Sequence, residues 1–330
     1  MHSGTDSVTI RLGFPVKVLG VAGLKSHDTR RWQNGPHLSV SLAYLRDILG
    51  YLQRQDIHFY RLSPDLAPYA THPDFPQFHN QIAECQRELA AVGEVAQANR
   101  VRLSVHPGQY VVLNAPEEGL AERARREVIH QAQLLRTMGL GPEAVVVLHV
   151  GGVYEDHRAA RERFVRRVEI LPLETQRRLV VENDHGRFSV EDCLWIHRRT
   201  ALPLAFDYLH FRCHNPEGMD LIEAMSSCLG TWSENVPAKV HFSSPRTATV
   251  VVVRRSTVGD RVRHQTRAPY PAQHADYVDP FAFTDFLRAA WSAGLGDFDL
   301  MLEVKAKDLA LLRLREDMAR FAPDLAWRLV

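Results

Sequence analysis

The four cysteines of this chain, Cys85, Cys193, Cys213 and Cys228, form no C-x-x-C pair, which excludes paired-thiolate zinc motifs and dithiol redox motifs. Free thiols in a cytoplasmic protein are the plain expectation. No run approaches the roughly 20 apolar residues of a membrane span, and no basic segment followed by a long apolar stretch opens the chain, so no membrane association is expected. A dominant sign of charge is also missing. Lys plus Arg number 40 against 39 Asp plus Glu, a formal net charge of +1, so a polyanionic partner must be held by a local patch or by metal ions. There is no low-complexity linker and no internal repeat beyond an alternation of short and long apolar patterns. What the sequence does have is length, 330 residues, and apolar content, 45%, enough for the large core of one closed α/β barrel.

Short apolar runs alternate with longer amphipathic ones, the order that parallel strands require because each crossover needs a helix. The strands are expected at Ile10–Phe14, His58–Leu62, Arg102–His106, Ala144–His149, Leu179–Glu182, Leu204–Asp207, Ala238–Phe242 and Asp299–Glu303. Most are continuously apolar, as strands buried on both faces are. Helices are expected near 39–54, 75–99, 117–138, 156–169, 190–198, 217–228, 280–293 and 306–320, with Ser189 and Asp279 as N-caps. The fold class is therefore α/β, a (β/α)8 TIM barrel in a single domain over residues 9–330, with residues 1–8 a short extension.

Residues 246–278 break the alternation. Thr247–Val253, Gly259–Asp260 and Arg261–Thr266 read as a hairpin inserted after the seventh strand, and between Arg246 and Arg267 lie Arg246, Arg254, Arg255, Arg261, Arg263 and Arg267 against one acid, Asp260. That charge suits a phosphate backbone. It equally suits a solvated edge ribbon whose arginines discourage strand-to-strand aggregation.

The chemistry lies at the strand ends. His106 closes the third strand, His149 the fourth, Glu182 the fifth, Asp207 the sixth with His210 three residues on, and Glu303 the eighth. His241 lies on the seventh strand two residues after Lys239, so both face the same side. Singly, each has a plain explanation as a satisfied core histidine or a helix-capping acid. Jointly they converge on the C-terminal rim, where a barrel builds its active site. Uncompensated carboxylates cannot all stay charged there, and divalent cations are the natural compensation. Nitrogen and oxygen donors without cysteine suit Mn²⁺, Zn²⁺, Fe²⁺ or Co²⁺. Six or more ligands imply two or three ions. Such a centre lowers the pKa of water and stabilises attacking and leaving oxygens in displacement at phosphorus; on the same scaffold it can also isomerise or epimerise sugars.

The order of motifs narrows this choice. Arg11-Leu-Gly-Phe-Pro15, Tyr60-Arg-Leu-Ser63, His72-Pro73, His106-Pro-Gly-Gln-Tyr110, Leu148-His-Val-Gly-Gly152, Glu182-Asn-Asp184, Asp207-Tyr-Leu-His210, Lys239-Val-His241, His274-Ala-Asp-Tyr277 and Glu303-Val-Lys305 together resemble the UV damage endonuclease family. The resemblance implies a metal-dependent repair nuclease that cuts UV-damaged double-stranded DNA immediately 5′ of a pyrimidine dimer or 6-4 photoproduct, leaving a 3′-hydroxyl and a 5′-phosphate. It implies His106, His149, Glu182, Asp207, His210, His241 and Glu303 as ligands of two or three divalent ions, Mn²⁺ foremost, with His72 and His274 as further ligands or phosphate contacts. It makes Lys239, Glu182 and His241 the catalytic residues, Lys239 serving as charge partner of the scissile phosphate or as a carbamylated ligand, with a salt bridge to one of the acids as the plain alternative. Gln109 and Tyr110 resemble the family's wedge into the duplex, against the plain alternative of a turn tyrosine packed on the rim. No obligate protein partner is expected.

Three departures stand out. Phe14 offers no hydroxyl at the end of the first strand, the hairpin is longer than a minimal member needs, and the run from Asp207 to Asn215-Pro216 is one residue longer than the family spacing, so that His210 and His214 compete for one role. Two other readings remain open at this stage: a sugar isomerase or epimerase, which would need neither Tyr110 nor the arginines, and a metal-loaded DNA-binding protein that binds lesions without nicking them.

Overall fold

The computed structural model describes residues 10–255, 262–296 and 298–330. Its strands are β1 (Leu12–Pro15), β2 (Phe59–Leu62), β3 (Arg102–Val105), β4 (Val145–His149), β5 (Leu179–Glu182), β6 (Leu204–Asp207), β7 (Ala238–Phe242), β8 (Val250–Arg255), β9 (Val262–Arg267) and β10 (Phe298–Leu302). Eight of them close into a parallel barrel in the order β1-β10-β7-β6-β5-β4-β3-β2, while β8 and β9 form a separate antiparallel pair. This is the (β/α)8 architecture expected. Closure runs through β1, where Gly13 pairs with Met301 on one side and Phe59 on the other, and Ile10 pairs with Leu329 so that the two ends of the described chain meet.

The main core lies between the strands and the surrounding helices, and a second small cluster of Val145, Val147, Val180 and Ala205 fills part of the barrel interior. The rest of that interior is polar. Near its N-terminal end the Asp299 carboxylate accepts hydrogen bonds from Arg11 at 2.6 and 2.7 Å and from Arg102 at 2.7 Å. One layer up, Lys239 donates to Ser104 at 2.9 Å. A cavity of about 940 Å³ opens at the N-terminal end and is lined by Arg11, His58, Trp232 and Asp299; it lies opposite the rim where barrel enzymes build their sites.

Helix Leu38–Arg54 matches the expected span within a residue. The span expected over 75–99 divides into a 3₁₀ turn Pro76–Phe78 and helices Gln81–Glu84 and Gln86–Ala98, because Cys85 leaves helical geometry between the last two. The helix expected from 217 begins at Leu221, where Asp220 caps it after Gly218 turns with a φ of 68°. Ser189 and Asp279 cap as expected, Ser189 in a reciprocal box with Asp192. Such a cap contributes about 1 kcal/mol. Among the helices that went unforeseen are the single turns Leu173–Gln176 and Pro323–Ala326 and, of consequence for the site, Tyr208–Cys213, which carries His210.

The insertion leaves and returns through one antiparallel bridge, Pro245 with His274, backed by Arg246 N–H to the Gln273 carbonyl at 2.6 Å and Ala275 N–H to Ser244 at 2.9 Å. β8 and β9 pair from Val250–Arg267 to Arg255–Val262. Arg261 and the side chains of Arg254, Arg255 and Arg263 lie outside the described residues.

Candidate active site

The C-terminal ends of β3 to β7 and β10 bring the expected ligands together. Glu182, fully buried, is the hub: His106 Nε2 lies 3.0 Å from its Oε2, His149 Nε2 3.9 Å from the same oxygen, and His241 Nδ1 2.9 Å from Oε1. His241 Nδ1 is also 3.2 Å from Glu303 Oε1. Two groups of donor atoms follow, His106 with His149 and Glu182, and Glu182 with Asp207, His241 and Glu303, all within 4.8 Å inside each group. Glu182 belongs to both.

Local structure aims these atoms. His106 stands one residue past β3, and Glu303 one past β10. The Asn183 side chain ties the tips of β5 and β6 together, accepting from Asp207 N–H at 2.9 Å and donating to its carbonyl at 3.1 Å. Asp207 then caps the helix it begins, its Oδ1 accepting from His210 N–H at 2.7 Å. That leaves Asp207 Oδ2 buried without a partner. Buried polar atoms without partners are rare, and this cluster holds three: Asp207 Oδ2, His149 Nδ1 and His241 Nε2. Gly151, two residues after His149, has a φ of 118°, and a Cβ there would lie 2.3 Å from Asn114 Oδ1, which explains a glycine in Leu148-His-Val-Gly-Gly152.

The imidazoles are pre-set for a cation. His106 Nδ1 faces the Pro107 carbonyl at 3.1 Å and His210 Nδ1 the Asn183 carbonyl at 3.0 Å; a carbonyl only accepts, so Nδ1 carries the proton in both. In neutral His106 the Nε2 lone pair then points at a carboxylate, a repulsive arrangement that a proton or a metal ion relieves. Burial pushes His106 down to about 4 in spite of Glu182, so a proton is a poor solution. Burial opposes charge on His210 as well, yet the carboxylates of Asp207, Glu182 and Glu303 raise it to about 11. Glu182 stays ionised, its burial outweighed by the surrounding histidines, whereas Asp207 is raised by burial. The donor set, its orphaned atoms and its excess of anionic charge fit divalent ions.

Other expected residues are placed as follows. His210 is buried at the cluster, its Nδ1 3.5 Å from Glu182 Oε1 and 3.6 Å from Asp207 Oδ2, and lines the same cavity as His106 and His149; His214, the C-cap of the same short helix, donates its N–H to the His210 carbonyl and does not line that cavity, so of the two competing histidines it is His210 that faces the site. The His274 ring is 6.1 Å from that of His210, returned to the rim by the bridge at the base of the insertion. His72 is not brought to the cluster: it lies on the long loop after β2, 4.5 Å ring to ring from Phe75, on a different cavity. Lys239 is fully buried beneath His241, with its amine on Ser104 and 5.3 Å above the Phe59 ring; burial, with Arg61 and Arg102, holds it well below the ordinary lysine range. Among the described residues it has no ion pair, so the salt bridge to an acid is not formed. Arg246 stays at the base of the insertion, 4.0 Å from Asp276.

Two cavities of about 580 Å³ flank the tip of the loop after β3. Gln109 borders the one containing His106, His149, His210, His274 and Glu303, and Tyr110 the one containing His27, Asp65, His72 and His130. Tyr110 is 72% exposed, so it is not packed on the rim.

Sequence reasoning missed Arg61, which pairs closely with Glu303 from β2, and His185, whose ring lies 5.4 Å from His210. Arg61 was legible: it stands two residues after Phe59, on the inward face by the same alternation that aligns Lys239 with His241.

The fold and the donor cluster define a (β/α)8 barrel with a metal-capable centre at its C-terminal rim, an architecture shared with endonuclease IV from Thermus thermophilus (15% identity, TM-score 0.56, covering 94% of this chain and 99% of that one), a likeness in fold. Within that class the UV-endonuclease UvdE family matches residues 36–324, and the chain belongs to it. A UV DNA damage endonuclease of Bacillus velezensis is 29% identical over 288 residues, 86% of this chain and 82% of that protein. The crystal structure of SacUVDE superposes with a TM-score of 0.78 at 29% identity, covering 94% of this chain and 98% of that one. The protein is accordingly a DNA-repair endonuclease.

Proposed function

We propose that this endonuclease hydrolyses the phosphodiester immediately 5′ of UV photoproducts, pyrimidine dimers and 6-4 photoproducts, in double-stranded DNA, leaving a 3′-hydroxyl and a 5′-phosphate. The observation that carries the reading is Glu182 shared between two donor groups, the arrangement that a pair of bridged ions takes. Divalent ions held there, two or three with Mn²⁺ foremost, would supply charge to the attacking and leaving oxygens and a water of lowered pKa. His106 and His149 hold one side of Glu182; Asp207, His241 and Glu303 hold the other; His210 and His274 offer further nitrogens on the same cavity wall. Lys239 contributes from beneath, a desolvated amine kept within the barrel by Ser104.

Lesion choice falls to the loop after β3. A photoproduct pairs poorly, so extruding it costs less than extruding normal bases, and Gln109 with the exposed Tyr110 ring fills the gap left in the stack. The sugar-isomerase alternative leaves that exposed ring without a task.

The test is incubation of irradiated and unirradiated duplexes with Mn²⁺ or with EDTA. Nicks should appear only in irradiated DNA with metal, at the 5′ side of the lesion, with ends that a polymerase extends directly. Equal cutting of both duplexes, or cutting in EDTA, overturns the reading.

A further inference from the structure

The arc of the rim formed by β10, β1 and β2 supplies Glu303 and gathers four cations beside it. Pairing of Gly13 with Met301 and of Pro15 with Arg61 makes the residues just beyond these three strands neighbours. They include Lys17, Lys305 and Lys307, beside Arg61 near the end of β2. Val16 donates its N–H to the Arg61 carbonyl at 2.8 Å, which fixes the start of the loop bearing Lys17 against β2. The same loop is fastened to the start of helix Lys307–Phe321 by Asp308, fully buried, which accepts from Leu19 N–H at 2.7 Å, Gly20 N–H at 2.8 Å and the Tyr51 hydroxyl at 2.8 Å. Lys307 itself has a φ of 54°, in the left-handed region that a lysine adopts only when its surroundings impose it.

Three of these four cations lack a carboxylate partner. Among the described residues Arg61 pairs only with Glu303, and Lys17, Lys305 and Lys307 form no ion pair. Burial, then Arg61, with Lys17 and Lys305 adding, brings Lys307 down to about 8 against the pull of Glu303. Under the reading above, Glu303 is further claimed by the metal centre, and Lys17 and Lys305 stand exposed beside the half-buried Arg61 and Lys307. A fixed group of cations beside a centre that acts on phosphodiesters suits the one polyanion at hand.

We propose that Lys17, Arg61, Lys305 and Lys307 form a grip for the DNA sugar-phosphate backbone beside the metal centre, with Asp308 as the positioning residue that holds the two loops together. The inference rests on the endonuclease reading and adds the side on which the strand is seated. Recognition is independent of sequence, since phosphate contacts position the duplex without reading bases. Arg61, nearest the cluster, can bridge Glu303 and a phosphate oxygen through its planar fork.

The test is fluorescence anisotropy of a labelled duplex, irradiated and unirradiated, titrated with the full chain in EDTA over a range of salt. Each lost phosphate contact should reduce the slope of log K against log salt by about 0.9. Lys17→Gln and Lys305→Gln, both at exposed positions, should each show this and their combination about twice as much; Arg61→Gln should weaken binding further, with circular dichroism checking its fold. Arg177→Gln, exposed just before β5 at the other end of the barrel, should leave the slope alone. Unchanged slopes in the double lysine variant, or an equal loss in Arg177→Gln, overturn the grip even where the wild type nicks irradiated DNA. Reduced slopes in a protein that nicks nothing uphold the grip and remove the proposed chemistry instead.

Discussion

Nδ1 of His241 lies 2.9 Å from Oε1 of Glu182, both groups wholly buried, while the other carboxylate oxygen faces His106 at 3.0 Å. One side chain therefore divides its two oxygens between two sets of donors. Glu182→Gln keeps the shape and removes the bridging charge. We expect it to abolish nicking of irradiated DNA while sparing lesion binding. Wild type should gain about 2.7 kcal/mol of stability at a Mn²⁺ concentration 100 times its dissociation constant, and the variant should lose most of that gain. Thermal melts with and without Mn²⁺ read both proteins; an undiminished metal shift in Glu182→Gln would count against the bridging role.

Lys239 is buried beneath this pair with a hydroxyl, Ser104, as its hydrogen-bond partner and no carboxylate salt-bridged to it. A buried amine without a counter-ion costs stability because burial must suppress its charge, and its replacement by an apolar side chain of similar length is neutral or favourable. Lys239→Met should thus melt no lower than wild type while cutting at least roughly 100-fold more slowly, as the loss of a charge-stabilising group at an active site does. A variant that melts much lower yet cuts normally would make Lys239 a packing residue only.

Tyr110 lies over Gly108, where an added Cβ would meet the ring at 2.5 Å. Tyr110→Ala should leave the rate on a saturating irradiated substrate within a few-fold of wild type and lower the preference for irradiated over unirradiated DNA by about tenfold, in line with roughly 1–3 kcal/mol per base–aromatic stack. Gly108→Ala, which displaces the ring without deleting it, should move the preference in the same direction. Equal loss of rate and preference in Tyr110→Ala would dissolve the division between probe and chemistry.

The barrel was legible because its strands are continuous apolar runs whose ends carry His, Asp or Glu, a pattern in chain order that needs no tertiary knowledge. Three of the eight strand spans, Leu179–Glu182, Leu204–Asp207 and Ala238–Phe242, coincide with the observed ones. What sequence order alone did not reveal depends on loops. His72 sits in a His-Pro pair like His106, but its long loop packs it against Phe75 on another cavity. The choice between His210 and His214 turned on Asp207 capping a six-residue helix, which puts His210 one turn away from the carboxylate and His214 beyond it. Arg61 was overlooked because strand ends were searched for metal donors, and a cation facing the same cavity carries no ligand signature.

His130 gives a pH test separate from the metal centre. Its Nε2 is buried without a partner on the helix Glu118–Thr137, and burial, with the His79 ring adding, pushes it from 6.5 down to about 4. A histidine whose folded-state pKa is lowered binds fewer protons folded than unfolded throughout that interval, so stability is complete above pH 6.5 and declines as the pH falls toward 4. His130→Leu abolishes that linkage. In EDTA, which removes the metal contribution from both proteins, the melting temperature of wild type should fall more steeply than that of the variant between pH 6.5 and 4, and the two curves should run parallel above pH 7. The difference between the curves isolates His130, because His106 and the remaining histidines titrate in both proteins. Parallel curves across the whole range would mean that His130 accepts its proton in the folded state as readily as in the unfolded one.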